Sequence, residues 1–342
     1  CGFFFRRVPT GARLKGDTLK LEVYKNSSIM INILFLGGAG FIGSNIIKKI
    51  INDNNYKIFV LEPSFANTSR LSKLYRSITI IDGQINNLNL IKTILEDNHI
   101  NIVVHLVSTL IPGSSYEDFK KEFENVVFPT TRIMELCASR KIKFIYFSSG
   151  GTVYGNSNIK RKSFCETDTL SPISYYGLTK QIIENSILFE SRRGNLNYLI
   201  IRPSNPFGVG QSLNGNQGFI AVAIGKILSN EPIEVWGDGS TIRDYIYIDD
   251  LSHAFYQLIK YNINNEIINI GSGHGYTIND VLQRLKNVVE KPIKVIYKES
   301  RSVDVNSMIL DISKLKSFIN VQHTHLEDGI KLFYNNIVNN LK

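Results

Sequence analysis

The glycine-rich segment 37–43 (GGAGFIG) constrains the fold of this chain more than any other feature of its sequence. A continuously apolar run, Ile31 to Leu36, precedes the segment and is typical of a strand covered on both faces in a parallel sheet. Gly40 lacks a Cβ atom and lets a pyrophosphate approach the backbone, whereas Gly43 lets the following helix lie close to the strand. The pattern therefore predicts a strand, a tight turn and a helix whose N-terminus holds a dinucleotide. An ordinary strand-turn-helix without a ligand is the alternative.

Composition limits the classes of protein to which this chain can belong. The 342 residues are 43% hydrophobic, so we expect one large domain, or one domain with a smaller lobe. The net charge of +9 is scattered along the chain, which favours a phosphorylated ligand and argues against a nucleic-acid partner. Cys1, Cys137 and Cys165 have no metal-binding or C-x-x-C spacing, so we expect no metal site and a reducing, cytoplasmic location. Apolar runs stay shorter than the roughly 20 residues of a membrane span.

The first 29 residues stand apart from this pattern. They begin at Cys1, are basic and loop-like, and lack the long apolar core of a secretory signal. We interpret residues 1–29 as a disordered extension or an artefact of translation, with a targeting role as the alternative. The folded domain is then expected to begin at Met30.

Strands and helices alternate from Ile31 to about residue 203, which predicts an α/β fold with a doubly wound parallel sheet of the Rossmann type. The alternation then ends. We expect residues 30–203 to form the nucleotide-binding domain, with 241–262 returning to it, and 204–240 with 263–342 to form a smaller α/β C-terminal substrate lobe. Glu62 ends the second strand, where an acid accepts ribose hydroxyls and repels a 2′-phosphate, so NAD is favoured over NADP. A solvated glutamate at a strand end is the alternative.

Tyr176 and Lys180 carry the most informative chemistry. They lie four residues apart at the start of a predicted helix, and therefore on one face. A tyrosine has a reference pKa of about 10 and is a poor base, but a neighbouring ammonium favours its phenolate. The pair therefore predicts removal of a hydroxyl proton near neutral pH during transfer of a hydride to a cofactor.

In this combination and order the chain resembles the extended short-chain dehydrogenase/reductase family, and within it the UDP-glucose 4-epimerase-like members. The resemblance runs from Met30 to the C-terminus. The motifs that carry it are the glycine segment 37–43, Ser148 to Gly155, Tyr176 with Lys180, Asn205-Pro206, Gly239 to Tyr245, and Arg301 with Asp304-Val305.

The resemblance assigns roles to individual residues. Tyr176 and Lys180 would be catalytic, together with a hydroxyl from Ser149 or Thr152. A UDP-sugar would be bound by Asn205, by Arg243 and Arg301 on its pyrophosphate, and by Met308, at a position that gates room for an N-acetyl group. NAD would be bound by Gly37, Gly40, Phe41, Ile42, Gly43, Glu62, Gln84, Ile85, Asn125 and Lys180.

Two positions depart from the family pattern. Gly150 stands where relatives carry a serine or threonine, so the missing hydroxyl must come from Ser149, from Thr152 or from water. We favour Thr152, because two residues along an extended segment return to the same side. Gln84 stands where many relatives carry an aspartate beside the adenine. Gly151 and Thr152 replace the acidic pair that related 4,6-dehydratases carry.

Taken together, the resemblance implies an NAD-dependent epimerase acting at C4 of a UDP-hexose or UDP-N-acetylhexosamine through a 4-keto intermediate. Other enzymes that modify nucleotide sugars remain alternatives: a 4-ketosugar reductase, a dehydratase or another epimerase. A non-catalytic dinucleotide-binding protein is a further alternative from a different class. The resemblance also implies a homodimer formed through the helices at 128–139 and 176–192.

Overall fold

The computed structural model describes residues 30–156, 163–215, 217–289, 291–299 and 307–341. The first half of the chain alternates strands and helices as its apolar periodicity predicts. Its elements, in order, are β1 (Ile31–Leu36), α1 (Phe41–Ile50), β2 (Tyr56–Glu62), a 3₁₀ helix (Ser69–Leu74), β3 (Ile78–Asp82), α2 (Leu88–Asp97), β4 (Ile102–His105), α3 (Tyr116–Glu122), a π-helix (Phe123–Val127), α4 (Phe128–Ser139), β5 (Lys143–Phe147), α5 (Tyr175–Gly194) and β6 (Tyr198–Pro203).

The second half contains shorter strands. Its elements are β7 (Asn205–Phe207), α6 (Phe219–Leu228), β8 (Ile233–Trp236), β9 (Ile242–Tyr247), α7 (Ile248–Lys260), β10 (Glu266–Ile270), β11 (Gly275–Thr277), α8 (Ile278–Val288), β12 (Val295–Lys298), β13 (Ser307–Met308), α9 (Ser313–Phe318) and α10 (Leu326–Leu341). Within the described ranges, none of these helices combines the length and the apolar character that a membrane crossing requires.

Seven parallel strands form the main sheet, in the order β10-β6-β5-β4-β1-β2-β3. Helices α1 and α7 cover one face and α2, α4 and α5 cover the other, so the strands are apolar along almost their whole length. In the sheet, β2 lies on one side of β1 and β4 lies on the other side. The carboxyl ends of β1 and β4 therefore meet at a switch point, where doubly wound sheets bind their ligands.

The C-terminal lobe is built around β9, which pairs with β7, β11 and β13. Helices α6, α8 and α10 enclose a separate apolar core beside it. Within the segment 241–262, which we expected to return to the first domain, α7 packs on α1, whereas β9 pairs with the strands of the lobe.

The predicted boundary at residue 263 is wrong for one strand. Glu266–Ile270, which we assigned to the lobe, is the edge strand of the main sheet and pairs in parallel with Leu199–Pro203. Ile268 and Ile270 are completely buried there. Burial of each such side chain stabilises the fold by about 1.5–3 kcal/mol, which explains why the strand joins the larger sheet.

Candidate active site

The glycine segment forms the turn that its sequence predicts. Gly37 has a φ of +79°, and Gly40 precedes the first turn of α1 with no side-chain cap on the helix amides. A Cβ atom on Gly43 would lie 2.7 Å from the carbonyl oxygen of Gly38, so this glycine does allow the close approach of helix and strand. A Cβ atom on Gly40 would meet only the Gly37 oxygen, at 3.5 Å. The turn thus offers free amides and open space to an anion.

Glu62 stands at the end of β2 beside this turn. The residue is 7% exposed, and its carboxylate accepts a hydrogen bond of 2.6 Å from the backbone N–H of Ala39. Burial raises the pKa of Glu62 and outweighs the Ala39 bond, which lowers it. Gln84 is exposed and Ile85 is buried just beyond β3, on the same edge of the sheet. Uncapped amides and an open glycine together fit the pyrophosphate of a dinucleotide, and a contact of Glu62 with its ribose stays a prediction.

Tyr176 and Lys180 lie on the first turns of α5, whose N-terminus is capped by Ser174. The Lys180 ammonium lies 5.5 Å from the centre of the Tyr176 ring and donates a hydrogen bond of 2.9 Å to the carbonyl oxygen of Phe147. Burial lowers the pKa of Lys180 to about 8, against the carboxylates of Glu122 and Glu184, which raise it. The Lys180 ammonium is therefore held at the end of β5, one helical turn from Tyr176.

The hydroxyl in polar contact with Tyr176 is that of Ser149, and the part of this hydroxyl in the reaction stays a prediction. Burial raises the pKa of Tyr176, and a polar contact with the Ser149 hydroxyl lowers it in part. The Thr152 hydroxyl is buried and lacks a hydrogen-bond partner in the part of the chain that the structure describes. Our preference for Thr152 does not fit this geometry. The reason is that Ser149 to Val153 forms a turn, in which the backbone amides of Thr152 and Val153 both donate to the Ser149 carbonyl, rather than an extended segment.

The structure also explains the departure at Gly150. A Cβ atom there would lie 2.7 Å from Cδ1 of Leu310 and 3.1 Å from the carbonyl oxygen of Arg202. A side chain at residue 150, such as the serine or threonine that the resemblance leads us to expect, would therefore require Leu310 to shift. By contrast, a Cβ atom on Gly151 would meet Asn205 only at 3.6 Å.

The residues predicted to bind the substrate gather around β9. Asn205 lies beside Gly151 and donates a hydrogen bond of 2.9 Å to the carbonyl oxygen of Asp244. Arg243 is half-buried on β9, and its guanidinium donates to the carbonyl oxygen of Ile242. Met308 pairs with Arg243 across the two strands, but its side chain is completely buried in the core, so a size gate at Met308 stays a prediction. Arg301 and the Asp304-Val305 motif lie outside the described residues.

Asn125 lies in the π-helix, exposed, with its amide donating to the carbonyl oxygen of Lys121. Its contact with a nicotinamide ribose stays a prediction. The π-helix joins α3 to α4 without a break, and Pro129 lies in the first turn of α4, where its missing N–H costs no helical hydrogen bond.

Sequence reasoning missed several buried polar groups around the site. Glu122 accepts hydrogen bonds from the Ser108–Thr109 segment. Arg202 forms a buried ion pair of 2.6 Å with Glu184. Asp244 accepts bonds from three backbone amides, those of Ser272, Gly273 and Leu310. A charged residue inside an apolar run, as at Arg202, is the signal that could have revealed such a pair.

Comparison with known proteins indicates the family of this chain. The family model of the NAD dependent epimerase/dehydratase family matches residues 33–271. The UDP-glucose 4-epimerase of Thermotoga maritima, solved with UDP-glucose, superposes with a TM-score of 0.84 at 30% identity over 91% of this chain and 100% of that one.

Two further proteins similar to this chain are enzymes of other nucleotide sugars. The UDP-glucuronic acid 4-epimerase of Bacillus cereus, solved with UDP-glucuronic acid and NAD, has a TM-score of 0.81 at 26% identity over 90% of this chain and 99% of that one. The dTDP-4-dehydro-6-deoxyglucose reductase of Escherichia coli is 31% identical over 304 residues, which are 87% of this chain and 95% of the relative. The chain therefore belongs to the NAD-dependent epimerase/dehydratase family of extended short-chain dehydrogenases/reductases, and its cofactor is NAD.

Proposed function

We propose that the protein interconverts the C4 epimers of a UDP-hexose or UDP-N-acetylhexosamine. The observation that carries the proposal is the grouping of Tyr176, Ser149 and Lys180 at the carboxyl end of β5, on the same edge of the parallel sheet as the glycine turn. The similarity to the Thermotoga maritima epimerase that was solved with UDP-glucose supports it.

Each of the three side chains has a distinct task. When bound, NAD supplies the reversible hydride chemistry. Tyr176 takes the proton of the C4 hydroxyl and later returns one, and the Ser149 hydroxyl shortens the path of that proton. Lys180 favours the phenolate by its charge, and because its ammonium is tethered to the Phe147 carbonyl it stays in place during turnover.

The residues of the loop before Val153 favour epimerisation over elimination of water as the reaction of this protein. A 4,6-dehydratase needs an acid and a base at this place, but Gly151 and Thr152 supply neither. Anchoring by the nucleotide end, through Asn205, Arg243 and Arg301, leaves the hexose free to turn and to receive hydride on its opposite face. We therefore prefer epimerisation to dehydration.

The test is direct. Purified protein is incubated separately with UDP-glucose, UDP-galactose and their N-acetyl forms, and each product is separated by chromatography, with Tyr176→Phe as the inactive control. We expect interconversion without net consumption of NAD. If no C4 pair is converted, the proposal is wrong. Comparing the two substrate pairs also shows whether N-acetyl groups are accepted, which the Met308 prediction concerns.

A 4-ketosugar reductase is the second candidate, because the Escherichia coli reductase matches this chain at 31% identity along nearly its whole length. A reductase oxidises one NADH for each product molecule, whereas an epimerase needs no net cofactor. Following NADH absorbance with a dTDP-4-keto sugar therefore distinguishes the two.

We also propose that the protein is a cytoplasmic homodimer that pairs through α4 and α5. Phe128 and Phe189 are 57% and 55% exposed on these helices, and such apolar side chains are suited to an interface. Unpaired thiols at Cys137 and Cys165 fit a reducing location. Sedimentation of the protein and of a Phe128→Glu variant tests the dimer, because a charge at the interface should produce monomers.

A further inference from the structure

The Lys180 ammonium has a second aromatic neighbour, which the function proposed above does not use. It lies over the ring of Tyr146 on β5, 5.0 Å from the ring centre, as well as over the ring of Tyr176, 5.5 Å from that centre. Both distances fall within the roughly 6 Å at which the negative face of an aromatic ring attracts a cation. The ammonium is therefore in cation–π contact with one ring from β5 and one ring from α5.

Lys180 and Tyr146 are both removed from water. Lys180 is 4% exposed and Tyr146 is completely buried. A buried ammonium loses the hydration that stabilises its charge, which is why burial lowers the pKa of Lys180. The carbonyl oxygen of Phe147, the residue after Tyr146, accepts a hydrogen bond of 2.9 Å from this ammonium. The contact with the Tyr146 ring is stronger here than at a surface, because water does not compete with the ring for the cation.

The hydroxyl of Tyr146 has no comparable role. It is buried and lacks a hydrogen-bond partner among the residues that the structure describes. Burial raises the pKa of Tyr146 well above its ordinary value, so the hydroxyl keeps its proton and does not act as a base. The part of Tyr146 that contacts Lys180 is thus its ring.

The Tyr146 ring is itself held in place from β4. The His105 ring meets it edge-on, with ring centres 5.7 Å apart and an interplanar angle of 64°. Nε2 of His105 donates a hydrogen bond of 2.8 Å to the Thr130 hydroxyl, because that hydroxyl donates its own proton to the carbonyl oxygen of Val126. Burial lowers the pKa of His105 to about 3, so His105 is neutral and does not compete with Lys180 for the ring.

We propose that Tyr146 is a positioning residue, whose ring holds the Lys180 ammonium beside Tyr176 and favours its charged state. This inference rests on the proposed function of the Tyr176–Lys180 pair. The carboxylates of Glu122 on α3 and Glu184 on α5 also raise the pKa of Lys180, and the Tyr146 ring acts in the same direction through direct contact. Together with the Phe147 carbonyl, the ring gives the ammonium two anchors from adjacent residues of β5.

Two substitutions separate the ring from the hydroxyl. Tyr146→Leu removes the ring, whereas Tyr146→Phe removes only a hydroxyl that has no partner among the described residues. Without the ring the charged form of Lys180 is disfavoured, so we expect the alkaline limb of the pH profile of kcat/KM to move to lower pH by about one pH unit in Tyr146→Leu. Tyr146→Phe should keep the limb of the wild type. A limb that moves equally in both variants would mean that the ring is not what acts, and would overturn the proposal.

Phe144→Leu is the matched control. Phe144 is also completely buried, lies two residues before Tyr146 on the same face of β5, and has its ring centre 6.0 Å from that of His105. This variant should lose stability as Tyr146→Leu does, but leave the alkaline limb in place. An equal movement of the limb in Phe144→Leu would show that any cavity in this core disturbs the site, and the proposal would be wrong. If Tyr146→Leu does not fold, Tyr146→Met replaces it, because methionine fills the space without a ring.

A second measurement does not depend on turnover. The NMR signals of the lysine Cε atoms are followed as a function of pH in NAD-loaded protein that contains isotopically labelled lysine, and the Lys180 signal is identified by its absence in Lys180→Met. The Lys180 midpoint should fall in Tyr146→Leu and stay in place in Tyr146→Phe. An unchanged midpoint in Tyr146→Leu would contradict the proposal. If the wild-type protein converts no sugar nucleotide, the proposed function fails, but this titration still decides whether the Tyr146 ring acts on Lys180.

Discussion

Gly150 packs so tightly against Leu310 that a Cβ atom at residue 150 would lie 2.7 Å from Cδ1 of that leucine. Gly150→Ala should therefore lower the free energy of unfolding by about 1–3 kcal/mol, as overpacking does in other cores. Gly151→Ala should change it by less than about 0.5 kcal/mol, because the space beside Gly151 is open. Urea unfolding of both variants measures the difference. Equal losses of unfolding free energy in the two variants would mean that the contact with Leu310 does not determine which residue occupies position 150.

Ser149→Ala should lower kcat by about 100-fold, the usual scale for loss of a group that assists proton transfer. Thr152→Val keeps the shape of a side chain whose hydroxyl has no partner among the described residues, so kcat should stay close to that of the wild type. Steady-state assays with the preferred UDP-sugar give both values. The opposite ranking would restore Thr152 as the hydroxyl donor.

Glu62→Gln should weaken the discrimination between the two cofactors. The amide oxygen can still accept from Ala39, but the charge that repels a 2′-phosphate is gone, so we expect the Kd for NADP to fall about tenfold, or 1.4 kcal/mol. Titration of protein fluorescence with each cofactor measures this. Asp82→Asn is the control, because Asp82 pairs with Glu62 on the neighbouring strand and is exposed. A similar fall in that variant would indicate a general charge effect.

Lys143 should make stability depend on pH. Lys143 is 4% exposed, its ammonium donates to the Ile263 carbonyl, and burial lowers its pKa to about 7. Between pH 7 and the unfolded pKa near 10.4 the unfolded chain binds one more proton, so Lys143 adds about 1.4 kcal/mol of stability for each pH unit of increase. The free energy of unfolding is measured between pH 7 and 9 for the wild type and for Lys143→Met. The difference between the two values at each pH isolates this slope.

Lys260→Met serves as the comparison for Lys143, since Lys260 is a less buried lysine at the same edge of the sheet. Its removal should leave the slope unchanged. If the free energy of unfolding changes with pH in the same way in the wild type and in Lys143→Met, Lys143 keeps its proton throughout this range.

The sequence allowed the main sheet and the glycine turn to be predicted, because their signals are local. The run from Ile31 to Leu36 and the spacing of the glycines each act within a few residues. The strand Glu266–Ile270 was misplaced because it follows the break in the alternation, where a short apolar run can join either sheet. Its continuous apolar character was the signal for a position buried on both faces.

The chemistry of the site was harder to predict where it depends on distant contacts. Tyr176 and Lys180 share a helix face, and their spacing, together with the glycine segment and the serine-rich strand end that precede them, made them candidates. The exclusion of a side chain at Gly150 depends on Leu310, 160 positions away, and no local pattern encodes that contact. Ser149 was not preferred over Thr152 because the tight turn between them is formed by the fold and is not visible in the residue types.

Asp244 links the two ends of the site. It follows Arg243 on β9 and accepts the backbone N–H of Leu310, which in turn packs against Gly150, next to Ser149. Two contacts therefore separate a residue proposed to bind pyrophosphate from the turn that carries the hydroxyl proposed to assist proton transfer. We therefore expect binding of the nucleotide on β9 and the position of Ser149 to be coupled through Leu310. A free hexose, which cannot engage β9, should lose turnover as well as affinity.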